Sequence, residues 1–214
     1  MNYPKIKLNY SDSELKDYFT LSYEEKKLLK KIRKETNVLG FAVLLKTYQY
    51  LGCAPQTKKM ISSIIIDWIA KQLKLSVKTF VQYRWKSRIF KFHLSMIREY
   101  TKYSSYVEKK AIKEILFFKP NEILKLPVNR SSFYKLLIEK FRKNKMELPL
   151  EKKFIRLANS SFNNVNIQLF HVISEKISPE LKLFINKSLK KNKSDIVPFD
   201  WSLLKDKSLW NQHS

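Results

Sequence analysis

Apolar residues recur along this chain at intervals of three and four, and sustained two-residue alternation is hard to find, so the pattern predicts a string of short helices and an all-α fold. The first predicted helix starts at Ser22, whose hydroxyl can cap free amides while Glu25, three residues on, closes a capping box. It runs to about Lys34, with Leu28, Leu29 and Ile32 facing inward. Asn37 is placed to cap a second helix bearing Leu39, Val43, Leu44, Tyr48 and Leu51, which Gly52 stops in a left-handed conformation. The breadth of that apolar stripe predicts a central helix. Further helices are expected over residues 62–73, from Ser76, over 86–100 and over 107–118, the last stopped by Pro120. Beyond them the pattern predicts helices near 132–143, 150–163, 167–177 and 179–189. Ser178 caps the last of these, and Pro179 occupies its first turn.

The stretch 119–130 holds Pro120 and Pro127 and is the predicted boundary between two small helical bundles. The expected organisation is an amino-terminal arm over 1–18, a first helical domain over 19–118, a second over 119–189 and a basic tail over 190–214.

Charge narrows the function. Forty-three Lys and Arg against 19 Asp and Glu leave a net +24, a self-repulsion that a polyanion would relieve. An AT-rich coding bias accounts for Lys over Arg better than for the net charge. With 44% hydrophobic residues the chain can bury a core, so it is no disordered basic tail. Gly40 and Gly52 are the only glycines, too few for Walker or Rossmann phosphate loops. A single cysteine, Cys53, fits a reducing compartment. The amino-terminal residues form no apolar signal segment, and no apolar run is long enough to span a bilayer, so a cytoplasmic protein without membrane contact is expected.

Residues 65–88 read as a helix-turn-helix. Two helices crossing steeply need a small residue at their contact, and Ala70 supplies it. Ile69, Leu73, Leu75, Phe80 and Tyr83 are spaced to hold the corner, and Ser76 to cap the second helix. Lys78, Thr79 and Gln82 are then expected to face outward, with Arg84, Lys86 and Arg88 beyond and Lys91 and Arg98 on the next helix. Gln can bridge an adenine edge, Thr can bond and touch a methyl group, and the cations suit phosphates. The tight turn favours Gly, but Lys74 occupies it.

The run FTLSYEEKKLLKKIRKETNVLGFAVLLKTYQYLGCAP (19–55) resembles the opening of the Tn-three-family transposases. The likeness continues into WKSRIFKFHLSMIREY (85–100), where Arg88, His93, Ile97 and Arg98 meet the family pattern, with weaker echoes at 145–159 and 177–185. The family's turn residue is Gly where Lys74 stands, and its loop after Tyr100 usually contains a Gly absent here. The resemblance implies binding to terminal inverted repeats through two helical DNA-binding domains. The carboxylate triad that cuts strands would lie far downstream, so no catalysis is expected in this chain.

The residues themselves agree with that. His93, His171 and His213 stand far apart, without Cys or carboxylate at ligand spacing, and Cys53 has no His companion. The acids Asp12, Asp17, Asp67, Asp195, Asp200 and Asp206 are too scattered for two-metal chemistry. No cofactor or metal is expected. YRWKSRIFKFH could stack single-stranded bases, but helical periodicity assigns Ile89, Phe90 and Leu94 mostly to the core, and that reading ranks below duplex DNA. In the second module Lys152, Lys153 and Arg156 are either phosphate contacts or a solvated face. The expected partner is double-stranded DNA, with a homodimer or full-length transposase as a further one. A protein-interaction role using Trp201 and Trp210, or RNA binding, is the alternative.

Overall fold

Helix α3 (Glu35–Leu51) is the post around which the first half of the protein is built. Every residue from Leu39 to Tyr48 is buried, as expected of a helix apolar on all sides. Gly52 ends it at φ 77°, the left-handed stop expected there. Its start differs from expectation: Lys34 is the N-cap, and Asn37 lies inside the first turn. A computed structural model describes residues 3–127 and 129–192. Trp201, Trp210, His213, Asp195, Asp200 and Asp206 lie outside them.

Among the described residues the fold is helical, with one isolated parallel bridge, Ser104 to Met146, and no strand. Helix α1 (Asp12–Phe19) lies in the segment read as an arm. Its start, Ser11 with Glu14, is a capping box of the same form as Ser22 with Glu25, which opens α2 (Tyr23–Leu29). Helix α2 stops five residues short of Lys34, where its last turn gives way to the connection to α3. Helices α1, α2, α4 (Ser63–Leu73), α5 (Lys78–Gln82) and α6 (Arg88–Thr101) all pack on α3. The basic helix α6 begins at Arg88 rather than Lys86, because the Ser87 hydroxyl accepts the Phe90 amide at 3.2 Å and caps it.

The second half comprises α7 (Glu108–Ala111), a π-helical turn (Ile112–Leu116), α8 (Pro120–Ile123), α9 (Arg130–Lys143), α10 (Glu151–Lys176) and α11 (Pro179–Asn192). Two helices were expected where α10 runs on for 26 residues. The polar stretch Asn163–Asn164 contains no Gly or Pro, so it does not break the ladder.

Two hydrophobic clusters result. One reaches from Leu15 to Ile97 around α3, and the other from Ala111 to Val165 around Phe133, Phe141 and Phe154. They are joined where Leu148 N donates to Gly52 O at 3.1 Å and Glu147 N to Ser104 O at 3.0 Å. No helix among the described residues is long and apolar enough to cross a membrane.

Candidate nucleic-acid interface

The corner between α4 and α5 starts from Lys74, which holds φ 55° and ψ 37°. This left-handed residue lets the Leu75 amide reach back to Ala70 O at 3.0 Å, while the Lys74 amide donates to Lys71 O at 3.2 Å. The turn therefore adopts the glycine-type geometry without a glycine. Ala70 is buried in the first cluster. The N-cap of the next helix is Val77 rather than the expected Ser76, whose hydroxyl, one residue earlier, accepts the Lys78 amide at 3.3 Å.

Helix α5 is five residues long, little more than one turn, and a helix so short is not stable alone. Three anchors hold it. Phe80 and Tyr83 are buried in the first cluster. The Tyr83 ring lies directly over Gly40, where a β-carbon would come within 2.2 Å of its Cγ. The third anchor is Lys58, in a 3-10 turn (Lys58–Met60), whose ammonium donates to Val81 O at 2.7 Å and Tyr83 O at 3.0 Å and lies 4.8 Å from the Phe80 ring centre. It satisfies carbonyls at the carboxyl end of α5, where a cation is favoured. Burial lowers the Lys58 ammonium from its ordinary value. Nothing in the spacing around Lys58 marks it for this role, because its partners stand 23 and 25 residues away.

These anchors leave Lys78, Val81 and Gln82 exposed, with Val81 at 75%. Thr79 departs from expectation: it is half-buried, and its hydroxyl donates to Ser76 O at 2.7 Å. The outward apolar position is Val81 instead. Lys74, Arg84, Lys86, Arg88 and Lys91 are exposed around the corner, with Lys86 at φ 60°. Residues 68–98 contain eight Lys and Arg and no carboxylate.

Behind this surface His93 is packed rather than free. Its ring stacks on Tyr83 at 5.6 Å and 8°, meets Phe41 edge-on, and shares a 2.8 Å hydrogen bond between Nδ1 and the Tyr83 hydroxyl. Burial lowers it to about 4, so it is neutral at pH 7. Phe90 is buried as expected, but Ile89 and Phe92 stand 42% and 64% exposed.

The other predicted cations are engaged elsewhere. Arg98 is half-buried and forms an ion pair with Glu147. Lys153 and Arg156 both pair with Glu108, at 2.8 and 3.4 Å, leaving Lys152 exposed beside them. Burial raises the Cys53 thiol, which lies 3.7 Å from the Tyr3 hydroxyl. No group of three or more His, Cys, Asp or Glu among the described residues could hold a metal ion.

Over residues 1–160 the chain matches the domain of unknown function DUF4158. It is 30% identical over 168 residues to the transposase for transposon Tn1546 of Enterococcus faecium, covering 77% of this chain and 16% of that protein. It is 28% identical over 95 residues to the transposase for transposon Tn501 of Pseudomonas aeruginosa, covering 44% of this chain and 10% of the relative. The chain thus spans less than a fifth of the length of either transposase. It belongs to the DUF4158 family and corresponds to the amino-terminal region of the Tn-three-family transposases.

Proposed function

We propose that this chain is a sequence-specific duplex-DNA-binding region of a transposase, whose α4–α5 corner acts as a helix-turn-helix and sets α5 in the major groove. The observation that carries this reading is the carboxylate-free basic segment 68–98, in which a short helix exposes Lys78, Val81 and Gln82. Gln82 is suited to an adenine edge and Val81 to a thymine methyl, while Lys74, Arg84, Lys86 and Arg88 suit the flanking phosphates. The relationship to transposases makes the terminal inverted repeats of a transposon the natural target. Strand cutting belongs to parts of such enzymes beyond this region, and the cytoplasmic nucleoid is where the DNA would be met.

The second module lengthens the footprint through Lys152. Glu108 offsets Lys153 and Arg156, so its grip on phosphates is weaker than the first module's.

Titration of a labelled inverted-repeat duplex at rising salt tests the proposal. Neutralising about eight phosphates gives a slope near −7 in log affinity against log salt. A flat response removes the electrostatic premise.

A second reading, an assembly module that engages another copy or a full-length transposase, is favoured by the exposed Phe170, Ile173, Leu181 and Phe184 on α10 and α11. Gel filtration with and without the duplex separates the two readings.

A further inference from the structure

A groove of about 370 Å³ opens between the α2–α3 connection and α6. It is lined by the buried His93, the half-buried Ile32 and Met96, and the exposed Ile89 and Phe92. Lys31 and Arg33, both exposed, provide the charge, and none of the lining residues is acidic. His93 links the groove to the α4–α5 corner beneath the surface, its ring stacking on Tyr83 immediately after α5. Asn37 reaches the groove from the same face of α3 on which Gly40 meets Tyr83, three residues on.

We propose that this groove receives one unstacked nucleotide of the bound DNA, its base against Phe92 and Ile89 and its phosphate on Arg33 and Lys31. The inference rests on the DNA-binding reading above. Charge complementarity selects the occupant: an apolar wall edged only by cations fits a flat aromatic group that carries a negative charge. The neighbouring Arg88 and Lys91, on the same helix as Phe92, favour the same polyanion. Exposed aromatic side chains amid cations stack bases regardless of sequence, and inserted apolar side chains can hold a distorted duplex. The volume lies within the range of pockets that bind small ligands.

The test compares a fluorescein-labelled duplex of about 20 base pairs with the same duplex carrying one bulged 2-aminopurine nucleotide. Wild type is expected to bind the bulged duplex about tenfold tighter and to quench the 2-aminopurine emission. Phe92→Ala removes the preference for the bulged duplex and the quenching, whereas Phe92→Trp keeps both. Equal affinities in wild type, or a preference and quenching that persist in Phe92→Ala, overturn the inference. So does a DNA-free dimer in wild type that Phe92→Ala dissolves, which would assign the groove to a second copy. Failure to bind either duplex overturns the DNA-binding reading itself, and this inference with it.

Discussion

Arg98 and Glu147 meet through two parallel hydrogen bonds, Nε to Oε1 and Nη2 to Oε2, each 2.9 Å, at the junction of the two hydrophobic clusters. The Tyr48 hydroxyl donates to the same carboxylate at 2.8 Å, so one acid joins α3, α6 and the segment after α9. Burial and then the nearby Glu147 charge push the Tyr48 hydroxyl upward and keep it a donor. Glu147→Leu strands a guanidinium and a buried phenol together and is expected to cost about 2 kcal/mol, since the pair is only partly buried. Urea denaturation measures the loss. An unchanged midpoint would mean that the pair contributes nothing to stability.

Lys74 and Lys102 both hold left-handed backbone, at φ 55° and φ 61°. A side chain there costs about 1 kcal/mol relative to glycine, part of which a glycine returns as unfolded-state entropy. Lys74→Gly and Lys102→Gly are each expected to raise the melting temperature by less than the 2–4 °C that about 1 kcal/mol gives a chain of this size, roughly 1–2 °C. No gain at either position would argue against a strained turn.

Much of this fold is legible in the residues because its determinants are local. Ser22 with Glu25 marks a helix start, Gly52 a stop, and the stripe on α3 its burial. Ser11 with Glu14 carries the same signature, yet α1 is short and its apolar face small, with Leu15 and Phe19 buried. The anchors of α5 are another matter. Lys58 and Gly40 act on partners 23 to 43 residues away, and sequence spacing holds no trace of such pairings. The engagement of Arg98 by Glu147, 49 residues on, is hidden for the same reason. Charge was readable in the sequence, but which cations remain free was not.

His93 makes stability depend on pH. Burial lowers it from 6.5 to about 4, so between those values the unfolded chain holds a proton that the folded chain lacks. Stability therefore rises with pH across that window: the contribution is complete above about 6.5 and is lost as pH falls through about 4. Its full size is roughly 3 kcal/mol. Glu14 and Glu108, held low first by Lys7 and Lys153, add losses that begin near their ordinary value of 4.5, at the acid end of that window. Urea midpoints at pH 7, 6 and 5 should fall in order for wild type and flatten in His93→Gln. A flat wild-type profile would mean that the imidazole takes up its proton in the folded state.

Gly40→Ala sets two effects against each other. Helix propensity alone favours Ala by about 0.5–1 kcal/mol in mid-helix. The new β-carbon would meet three Tyr83 ring atoms at 2.2 to 2.7 Å, and that ring is held by His93 and Phe80. The ring cannot swing aside cheaply, so the variant is expected to lose at least about 2 kcal/mol. Because Tyr83 anchors α5, the loss should be strongly non-additive with Tyr83→Ala in a double-mutant cycle. Added stability in Gly40→Ala would mean that Tyr83 moves freely and that α5 is not held from below.

Gln82 and Lys86 are expected to fail in different ways. Gln82 is exposed on α5, where an amide can reach a base edge, so Gln82→Ala should cost about 1–3 kcal/mol on the preferred duplex and little on others. Lys86 lies past the end of the helix on left-handed backbone, and under the proposed function its charge is expected to meet phosphate whatever the sequence. Lys86→Ala leaves the β-carbon and its strain as they were and removes only the charge. It should weaken all duplexes alike and make the salt slope shallower by about one. Competition titrations on inverted-repeat and scrambled duplexes at two salt concentrations distinguish the outcomes. Equal losses on both duplexes for Gln82→Ala would show that α5 does not read bases, whereas a sequence-dependent loss for Lys86→Ala would place the base contact beyond the helix.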